Sequence, residues 1–478
     1  QFHDVLPGSS IRQVYEDSRK QYQELDEIVR KNQDKAVQVL VELIAGAVQD
    51  VVVFNPNGIR QDGIAVLEEV PAGAEHIESL DGAISVPLQQ DADGKFIFRV
   101  RNIPAKGWKT YRLASGRTEV PEQEFYCTEK ETVTPFLRLK WNEKGQITSW
   151  YDRKAKRELL KDGACANVLM TYEDKPYQFD NWNIYDYYRE KSWEVERLVS
   201  RKMIENGPVR MALELKWEYL HSQIREIFYF YPDSARVDIA AEIEWHENQI
   251  LLKALFPLEI NAREASYEIQ YGNVKRSITR NTSWEQARFE VCFHKWLDLA
   301  EYDYGVSFLS DSKYGVSIYD SQVELTLLKS GNYPNPDADR GYHEFIYSVF
   351  PHEGDWRTAG TVREAYEVNN PVTATVRTME NIVHKRAELP SEYGAISISA
   401  ENLVTEVLKR SEDGTADIIR FYECWNRRTT AEIVFADTWR KISLCNMLEE
   451  EVLVLGENTD RITMTVKPYE IVTLCLES

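Results

Sequence analysis

The sequence predicts a mainly β protein, in which a short helical segment at the start of the chain is followed by antiparallel β-sandwich domains. Two patterns predict this fold class. Up to about residue 49, apolar residues recur at spacings of three and four, as in amphipathic helices. From Val51 onward, short apolar stretches alternate with turn residues, and consecutive strands at such short separations favour antiparallel sheets.

The helical segment is predicted to contain two helices. Its apolar positions run from Ile11 to Val29 and again from Val37 to Ile44, with charged residues between them. The polar residues 32–34 separate the two runs and predict an interruption, so that the helices pack as a hairpin or join a bundle. Because two helices bury such stripes poorly, we expect the rest of a bundle to lie outside this chain.

The strands are clearest where the apolar pattern is regular. Residues 210–217 and 237–245 alternate between polar and apolar side chains, and residues 227–231 form a continuous apolar run. Further strands are predicted at 51–54, 418–422 and 451–455. Turn-rich stretches between them suggest four parts: the end of a helical bundle at 1–50, a small β domain at 51–118, a large β domain at 119–388 and a C-terminal β-sandwich at 389–478.

The composition excludes several classes of partner. The chain of 478 residues carries 57 Lys and Arg against 78 Asp and Glu, a formal net charge of −21. Nucleic acids and anionic membranes need a basic face, so we expect neither as a partner. No apolar run reaches the roughly 18 residues of a membrane helix. Six scattered cysteines without Cys-x-x-Cys spacing, and no secretion signal, predict reduced thiols in a cytoplasmic protein.

Four stretches combine residues that could carry chemistry. His3 and Asp4 supply an imidazole and a carboxylate, which zinc accepts as ligands; a polar start to a helix is the simpler explanation of this pair. The other three stretches mix aromatic, acidic, amide and histidine side chains, and they cover residues 179–188, 281–301 and 335–354. Their rings could stack on a sugar, but structural packing and hydrogen bonding explain each stretch as well.

Taken in order, these stretches resemble the α-mannosidases of glycoside hydrolase family 38. Residues 1–9 resemble the end of that family's catalytic region, and Asp-Asn-Trp-Asn at 180–183 resembles its aspartate-x-tryptophan-aspartate segment. Residues 281–284, 294–296 and 339–352 are similar to its C-terminal domain. The resemblance covers essentially the whole chain but only the later part of the family. It implies the end of a three-helix bundle followed by sandwiches of the galactose-mutarotase type, with a supersandwich at 119–388.

The resemblance also implies a function. Family 38 enzymes are retaining, zinc-dependent α-mannosidases, in which one carboxylate attacks the sugar and a second serves as acid and then base. His3 matches the last zinc ligand, and Asp4 matches a neighbour that hydrogen-bonds the substrate. The nucleophile, the acid/base and the other zinc ligands are expected in an N-terminal catalytic domain outside this chain. We therefore expect a fragment that is inactive and poor in zinc when it is isolated.

Four further residues are implied to reach the substrate pocket, a mannose-containing oligosaccharide being the expected ligand. They are Asp180, Trp182, Asp339 and Arg340, for which packing against the catalytic domain is the alternative. The source is expected to be bacterial, and a homodimer is left open. Two other functions stay open as well: a carbohydrate-binding or assembly module that works alone, and, by fold analogy only, an epimerase or lyase using His294, His343 or Glu344.

Overall fold

A computed structural model of the protein describes residues 4–116, 118, 124–378 and 388–478. Helix α1 spans Arg12–Leu43, and three short helices follow: α2 (Ser283–Gln286), α3 (Trp356–Ala359) and α4 (Thr361–Asn369). A 3₁₀ turn covers Asp186–Glu190. The remaining regular structure of these residues is β, and the strand pairs described among them are antiparallel, with an isolated parallel bridge between Ile44 and Leu389.

The strands are numbered in chain order. The first eighteen are β1 (Asp50–Asn55), β2 (Gln61–Leu67), β3 (His76–Ser79), β4 (Ser85–Pro87), β5 (Gln89–Gln90), β6 (Phe96–Ile103), β7 (Gly107–Ala114), β8 (Tyr126–Cys127), β9 (Glu131–Val133), β10 (Leu137–Trp141), β11 (Ile147–Asp152), β12 (Arg157–Glu158), β13 (Val168–Glu173), β14 (Ser192–Glu194), β15 (Leu198–Asn206), β16 (Met211–Tyr219), β17 (Ser222–Phe230) and β18 (Val237–Trp245). The others are β19 (Ile250–Pro257), β20 (Glu264–Ile269), β21 (Gly272–Ser277), β22 (Val291–Cys292), β23 (Trp296–Ala300), β24 (Tyr304–Ser310), β25 (Gly315–Tyr319), β26 (Gln322–Ser330), β27 (Gly341–Glu353), β28 (Thr373–Val376), β29 (Glu392–Gly394), β30 (Ile396–Ile398), β31 (Leu403–Arg410), β32 (Asp417–Glu423), β33 (Thr429–Cys445), β34 (Glu451–Val466) and β35 (Ile471–Glu477).

The helical start differs from its prediction. Helix α1 runs without a break across Asn32, Gln33 and Asp34, so the predicted interruption is wrong. The stretch contains neither Gly nor Pro, and polar residues such as Asn cost a helix only about 0.7 kcal/mol each. Asn32 stays exposed and donates its amide hydrogen to the carbonyl of Ile28 at 2.8 Å. A polar triplet on the solvent side therefore continues the helix.

The chain forms two compact units. The first comprises Gln1–Lys35, Pro121–Tyr267 and Lys275–Thr361, and the second comprises Ala36–Val120, Glu268–Val274 and Val362–Ser478. The domain boundaries predicted above stay predictions. No helix formed by the described residues combines the length and the apolar character that a bilayer crossing requires.

The first unit is a β-sandwich. Its sheets have the strand orders β14-β13-β19-β26-β25-β22, β15-β16-β17-β18-β27-β24-β23-β20-β21 and β12-β11-β10-β9-β8, except that the end of β20 and the start of β21 belong to the second unit. The first two sheets pack face to face, since Phe256 of β19 meets Phe308 of β24 edge-on with ring centroids 5.1 Å apart. Strands predicted at 210–217, 227–231 and 237–245 are confirmed as the neighbours β16, β17 and β18. They align Leu213, Phe228 and Ile239 in one buried row.

The second unit holds three sheets. Their orders are β28-β1-β7-β3-β4, with β29 also paired to β7; β2-β6-β5; and β30-β33-β35-β32-β31, with β34 paired to β33. The strands predicted at 51–54, 418–422 and 451–455 are confirmed as parts of β1, β32 and β34. Within this unit, the end of α1 packs through Val41 against Val52 and Trp108. Strand β34 lies at the sheet edge, and Val452, Leu453 and Val454 at its start are all exposed.

Candidate functional site

Parts of three stretches selected from the sequence lie side by side in the first unit. They are residues 4–9 near the start of the chain, the loop at 179–183, and residues 335–340, which continue a loop that begins at Gly331. A Cβ placed on Gly8 would lie 3.6 Å from the carbonyl oxygen of Asn181, and the Asn181 N–H donates to the carbonyl of Tyr333 at 3.2 Å. Arg12, in the first turn of α1, forms an ion pair with Asp337. The fold therefore joins segments that are more than 150 residues apart in the chain.

An open groove lies where these stretches meet. Its volume is about 690 Å³, and its lining residues are Ser9, Ser10, Ile11, Val14, Phe179, Trp182, Asn183, Tyr333 and Pro334. The rings of Phe179 and Tyr333 are 6.2 Å apart, and 52% of Trp182 is exposed. Apolar walls with a few polar groups are typical of small-ligand sites, and aromatic faces suit the C–H faces of a pyranose ring.

Asp180 supports this groove from inside the protein. Its carboxylate is buried and accepts hydrogen bonds from the N–H groups of Asn332 at 2.8 Å and Tyr333 at 2.7 Å, and from the side chain of Gln249 at 3.1 Å. Lys329 donates to its backbone carbonyl. Asp180 therefore fixes the backbone that carries Tyr333 and Pro334. The predicted contact between Asp180 and a substrate stays a prediction.

Asn181 and Gly331 lie in close contact where the loop at 179–183 meets the loop that begins at Gly331. The side-chain amide of Asn181 donates to the carbonyl of Asn335 at 3.2 Å. A Cβ on Gly331 would overlap Oδ1 of Asn181, so any residue other than glycine at position 331 requires the Asn181 side chain or the loop to shift. The close approach of the two loops thus depends on a residue without a side chain.

Asp339 and Arg340 lie beside the groove and are absent from the residues that line it. Asp339 has a φ of 55°, and its carbonyl is hydrogen-bonded to the His343 ring at 2.8 Å. The Arg340 guanidinium donates to Asp337 at 3.3 Å, the same carboxylate that pairs with Arg12. In this structure Arg340 therefore helps to hold the start of α1. Its predicted role toward a substrate, and that of Asp339, stay predictions.

Asp4 lies next to the rim of the groove. Its backbone carbonyl accepts hydrogen bonds from the hydroxyls of Ser10 at 2.7 Å and Ser9 at 3.4 Å, and both serines line the groove. His3, the predicted zinc ligand, lies outside the described residues. Within the part of the chain that is described, no group of three or more His, Cys, Asp or Glu side chains is arranged to hold a metal ion.

The 281–301 stretch lies away from the groove. Thr282 and Glu285 form a capping box on α2, Trp284 on this helix is exposed, and His294 packs edge-on against Tyr314 with ring centroids 5.3 Å apart. These contacts support the structural explanation that the sequence also allowed.

His343, in the 335–354 stretch, is affected by its surroundings. Burial lowers the pKa of the His343 imidazole, which favours its neutral form.

The buried cluster around His352 resembles a Ser-His-Asp triad only in composition. Nε2 of His352 lies 2.8 Å from Asp298 and 3.2 Å from the Ser307 hydroxyl. In a triad, the carboxylate and the serine contact opposite nitrogens of the imidazole, so that a proton can pass between them. Here one nitrogen contacts both partners, and all three side chains are buried. The cluster therefore serves packing and does not activate a nucleophile.

A buried ionic cluster that the sequence analysis missed anchors the chain after the groove loop. The fully buried Lys253 of β19 pairs with Glu290, which also accepts the Tyr188 hydroxyl at 2.7 Å. Arg189 pairs with Glu324 at 2.8 Å. Burial lowers the pKa of Lys253, whereas its two glutamate neighbours oppose that shift. Tyr188 and Arg189 lie in the 3₁₀ turn, so these pairs fix the segment that follows Trp182.

The groove residues Tyr333 and Pro334 were also missed. The only local signal for them was a run of turn residues, Gly-Asn-Tyr-Pro-Asn-Pro at 331–336. Such a run predicts a loop but does not show which distant loop it contacts. Of the residues predicted to reach a substrate, only Trp182 lines the groove.

Two family models match the chain. Residues 133–337 match the glycosyl hydrolases family 38 C-terminal domain, and residues 402–474 match the family 38 C-terminal beta sandwich domain. Together the two matches cover more than half of the chain. The chain belongs to glycosyl hydrolase family 38. The resemblance inferred from the sequence is thereby confirmed, and this family 38 chain comprises the C-terminal domains of the family.

Curated relatives agree with this assignment. The family 38 chain is 29% identical to Alpha-mannosidase G of Dictyostelium discoideum, a match that covers 99% of this chain and 46% of that protein. It is 27% identical to human Alpha-mannosidase 2C1, covering 100% of this chain and 44% of that protein. The chain therefore spans less than half the length of these relatives.

Solved structures agree on the fold. The crystal structure of an alpha-mannosidase from Enterococcus faecalis V583 superposes with a TM-score of 0.78 at 14% identity, covering 98% of this chain and 61% of that one. A second family 38 structure from Enterococcus faecalis gives a TM-score of 0.79 at 14% identity, covering 99% and 64%. The predicted mainly β fold with a helical start is therefore confirmed.

Proposed function

We propose that this chain is the C-terminal part of a retaining, zinc-dependent α-mannosidase that hydrolyses terminal α-mannosyl residues of oligosaccharides in a bacterial cytoplasm. The observation that supports it best is the aromatic groove beside Asp4, because two segments that resemble active-site parts of family 38 meet there. The relatives named above are alpha-mannosidases and are more than twice as long as the matched region. The nucleophile and the acid/base belong to the part of such proteins that this chain does not match.

The groove would act by positioning the sugar. Trp182 and Phe179 present aromatic faces to a pyranose ring, and Asn183 adds a polar side chain at the wall. Asp4, next to the rim serines, would accept hydrogen bonds from sugar hydroxyls. Asp180 does not need to touch the sugar in this scheme, because its carboxylate already holds the backbone of Asn332 and Tyr333.

Zinc belongs to the whole enzyme in this proposal. The residues that the structure describes do not assemble a ligand set, and His3 offers one imidazole where zinc commonly takes three or four protein ligands. The residues of the isolated chain therefore do not fit tight zinc binding. When it is held by His3 together with ligands from the catalytic domain, zinc would act as a Lewis acid toward sugar hydroxyls.

The partner domain would contact the exposed side of α1. Tyr22, Leu25, Ile28 and Val29 are each more than half exposed and lie within two turns of the helix. Apolar side chains gathered in this way mark contact surfaces. We therefore assign this stripe to the contact with the N-terminal catalytic domain.

A carbohydrate-binding module that works without catalysis is the second candidate, and the exposed aromatic wall of the groove favours it. The two functions separate in one experiment. Hydrolysis of an aryl α-mannoside is measured for the 478-residue chain and for the longer gene product, with and without added zinc. Binding of a mannose oligosaccharide is followed in parallel through tryptophan fluorescence, and circular dichroism verifies that the shorter chain is folded.

Activity in the longer product alone supports the proposal. Turnover by the folded 478-residue chain would overturn it, because the catalytic groups would then lie within these residues. Sugar binding without activity in either protein would favour the binding module. Trp182→Ala in the longer product should raise KM about 5- to 30-fold, the equivalent of about 1–2 kcal/mol of lost contact. Trp193→Ala is the matched control, since Trp193 is exposed to a similar degree, 48% against 52%, and lies outside the groove.

A further inference from the structure

The loop that carries Trp182 displays aromatic rings beyond those of the groove. The five aromatic residues in the stretch 177–187 are all exposed: Tyr177, Phe179, Trp182, Tyr185 and Tyr187. Aromatic side chains mostly serve a core or an interface, where their large apolar area is covered. Only Phe179 and Trp182 line the groove, so the groove does not account for the rings of the turn that follows it.

Tyr185 and Tyr187 form a stacked pair. Their ring centroids are 5.5 Å apart, and the planes of the two rings differ by 18°. The Tyr187 hydroxyl donates to the backbone carbonyl of Lys175 at 2.9 Å, which fixes the position of this ring. Both rings remain exposed to solvent. The two tyrosines therefore form one platform on the surface of the first unit.

The platform is anchored from inside the first unit. Tyr188 lies in a buried apolar cluster with Tyr172 and Leu251, and Ile184 packs against this cluster. The Tyr188 hydroxyl also donates to the carboxylate of Glu290 at 2.7 Å. The residues on either side of the stacked pair are thus held in place. A surface that is already ordered loses little conformational entropy when a ligand binds to it.

The platform continues the groove along the chain. Trp182 and Tyr185 are three residues apart, so their Cα atoms are separated by at most about 11 Å. Asn183, which lines the groove between them, donates its side-chain amide to the carbonyl of Gln178 at 2.9 Å and so closes the loop. A short chain of sugar rings spans the distance from the groove to the platform.

Phe179 supports a ligand-binding role for this loop. Its φ of 57° lies in the left-handed region, which glycine or asparagine adopts at a lower cost than a bulky residue. Because the ring is half exposed, core packing does not explain why phenylalanine stands at this position. Backbone strain of this kind is characteristic of functional sites.

We infer that Tyr185 and Tyr187 form a second sugar subsite, which binds a further residue of a neutral oligosaccharide whose terminal unit lies in the groove. The inference rests on the proposed function, because it takes the groove as the position of the terminal sugar. The platform would stack on the C–H face of the further pyranose ring. A nucleic acid, whose bases also stack on aromatic rings, is disfavoured by the formal net charge of −21. Mannose oligosaccharides are therefore expected to be better substrates than single mannosides.

The test compares two substrates of the longer gene product. One is α-mannosyl fluoride, which offers a single sugar without an aromatic leaving group, and the other is an α-linked mannotetraose. Tyr185→Ala should lower kcat/KM for the mannotetraose about 3- to 10-fold through a higher KM, the effect of losing one aromatic contact. Its kinetics toward α-mannosyl fluoride should match those of the parent. Tyr185→Phe keeps the ring and should retain most of the preference for the mannotetraose.

Trp193→Ala is the matched control, since it removes an exposed ring outside this loop and should change the kinetics of neither substrate. If Tyr185→Ala does not fold, as judged by circular dichroism, Tyr185→Leu replaces it, because leucine is apolar but has no ring face. An equal loss for both substrates would overturn the subsite, because the platform would then support the groove or a domain contact. Unchanged kinetics toward the mannotetraose would overturn it as well.

Failure of the proposed function would look different, because the longer product would then hydrolyse neither substrate. In that case the subsite is judged by calorimetric titration of the folded 478-residue chain with the mannotetraose. Weaker binding by Tyr185→Ala, with binding by Trp193→Ala unchanged, would support the subsite. Equal binding by the parent chain and Tyr185→Ala, or no binding by the parent chain, would overturn it.

Discussion

The hydroxyl of Tyr347 lies 2.6 Å from Oε1 of Glu226 in the interior of the first unit. The same hydroxyl is 2.7 Å from Oδ1 of Asn167, whose amide donates to the other Glu226 oxygen at 2.7 Å. A hydroxyl has one proton, so it can donate to only one of its two neighbours. All three side chains are satisfied when Glu226 is protonated and donates to Tyr347, which in turn donates to Asn167. Burial raises the pKa of Glu226 to about 7, so its protonated form is favoured below that pH.

This ring of hydrogen bonds predicts a pH dependence of stability. Between about pH 4.5 and pH 7 the folded chain keeps a proton on Glu226 that the unfolded chain has lost, so this contribution to the free energy of unfolding falls as the pH rises through that window. The change is on the order of 3 kcal/mol. Glu226→Gln should flatten the dependence, as measured by urea unfolding at pH 5 and pH 8. Glu244→Gln, at an exposed position on the neighbouring strand β18, is the control; a parent chain equally stable at both pH values would contradict the protonation assigned to Glu226.

Asp180 should matter for the groove through the backbone it holds. Asp180→Ala leaves the buried N–H groups of Asn332 and Tyr333 without their acceptor, at about 1–3 kcal/mol for each unsatisfied group. We expect lower stability in urea and a red shift of Trp182 fluorescence as the groove loosens. Asp180→Asn keeps one acceptor oxygen, so its stability in urea should lie between that of the parent chain and that of Asp180→Ala. Asp186→Ala removes an exposed carboxylate of the following turn and should leave both readings unchanged.

Gly331 should not tolerate a side chain while Asn181 is present. Gly331→Ala places a methyl group against Oδ1 of Asn181 and is expected to cost about 1–3 kcal/mol of stability. Asn181→Ala removes that oxygen, so the double variant should recover part of the loss. The measurement is a double-mutant cycle of urea unfolding. Strictly additive effects of the two substitutions would show that the loops separate and that the contact is not rigid.

Lys253 should be costly to remove alone. Lys253→Met leaves Glu290, whose side chain is only 11% exposed, without its cationic partner, and breaking one side of a buried ion pair costs about 3–5 kcal/mol. The double variant Lys253→Met with Glu290→Gln removes both charges and should recover much of that loss. The free energies of unfolding are measured in urea at low and at high salt. The difference between the single and the double variant should persist in high salt, because the pair is largely shielded from solvent. Equal losses in the single and double variants would contradict a direct pairing.

The fold class could be predicted because the strands carry their own local signal. Residues 237–245 alternate as a strand must when its two faces differ, and β18 covers the same range. The helix interruption at 32–34 could not be judged in the same way. A polar triplet is compatible with the end of a helix and with its solvent face, and the small propensity cost of Asn, Gln and Asp does not distinguish the two.

The candidate site was only partly predictable. Trp182 was found because an aromatic residue within an acidic and amide-rich stretch is visible in the sequence. Its neighbours Tyr333 and Pro334 lie in a loop about 150 residues later, and nothing local shows that the two loops meet. Asp180 shows a second difficulty. A carboxylate that meets a ligand and one that holds two backbone N–H groups are the same residue in a sequence, and only their hydrogen bonds separate the two roles.

The exposed start of β34 affects how the protein behaves at high concentration. Val452, Leu453 and Val454 face solvent on both sides of a strand whose outer edge carries no partner strand in the described part of the chain. Such an edge can template another strand, and molecules then stack through their main chains. Concentrated solutions are therefore expected to become turbid because molecules associate through β34. Leu453→Lys would leave the sheet intact, and its charge would oppose pairing of β34 with a strand of another molecule.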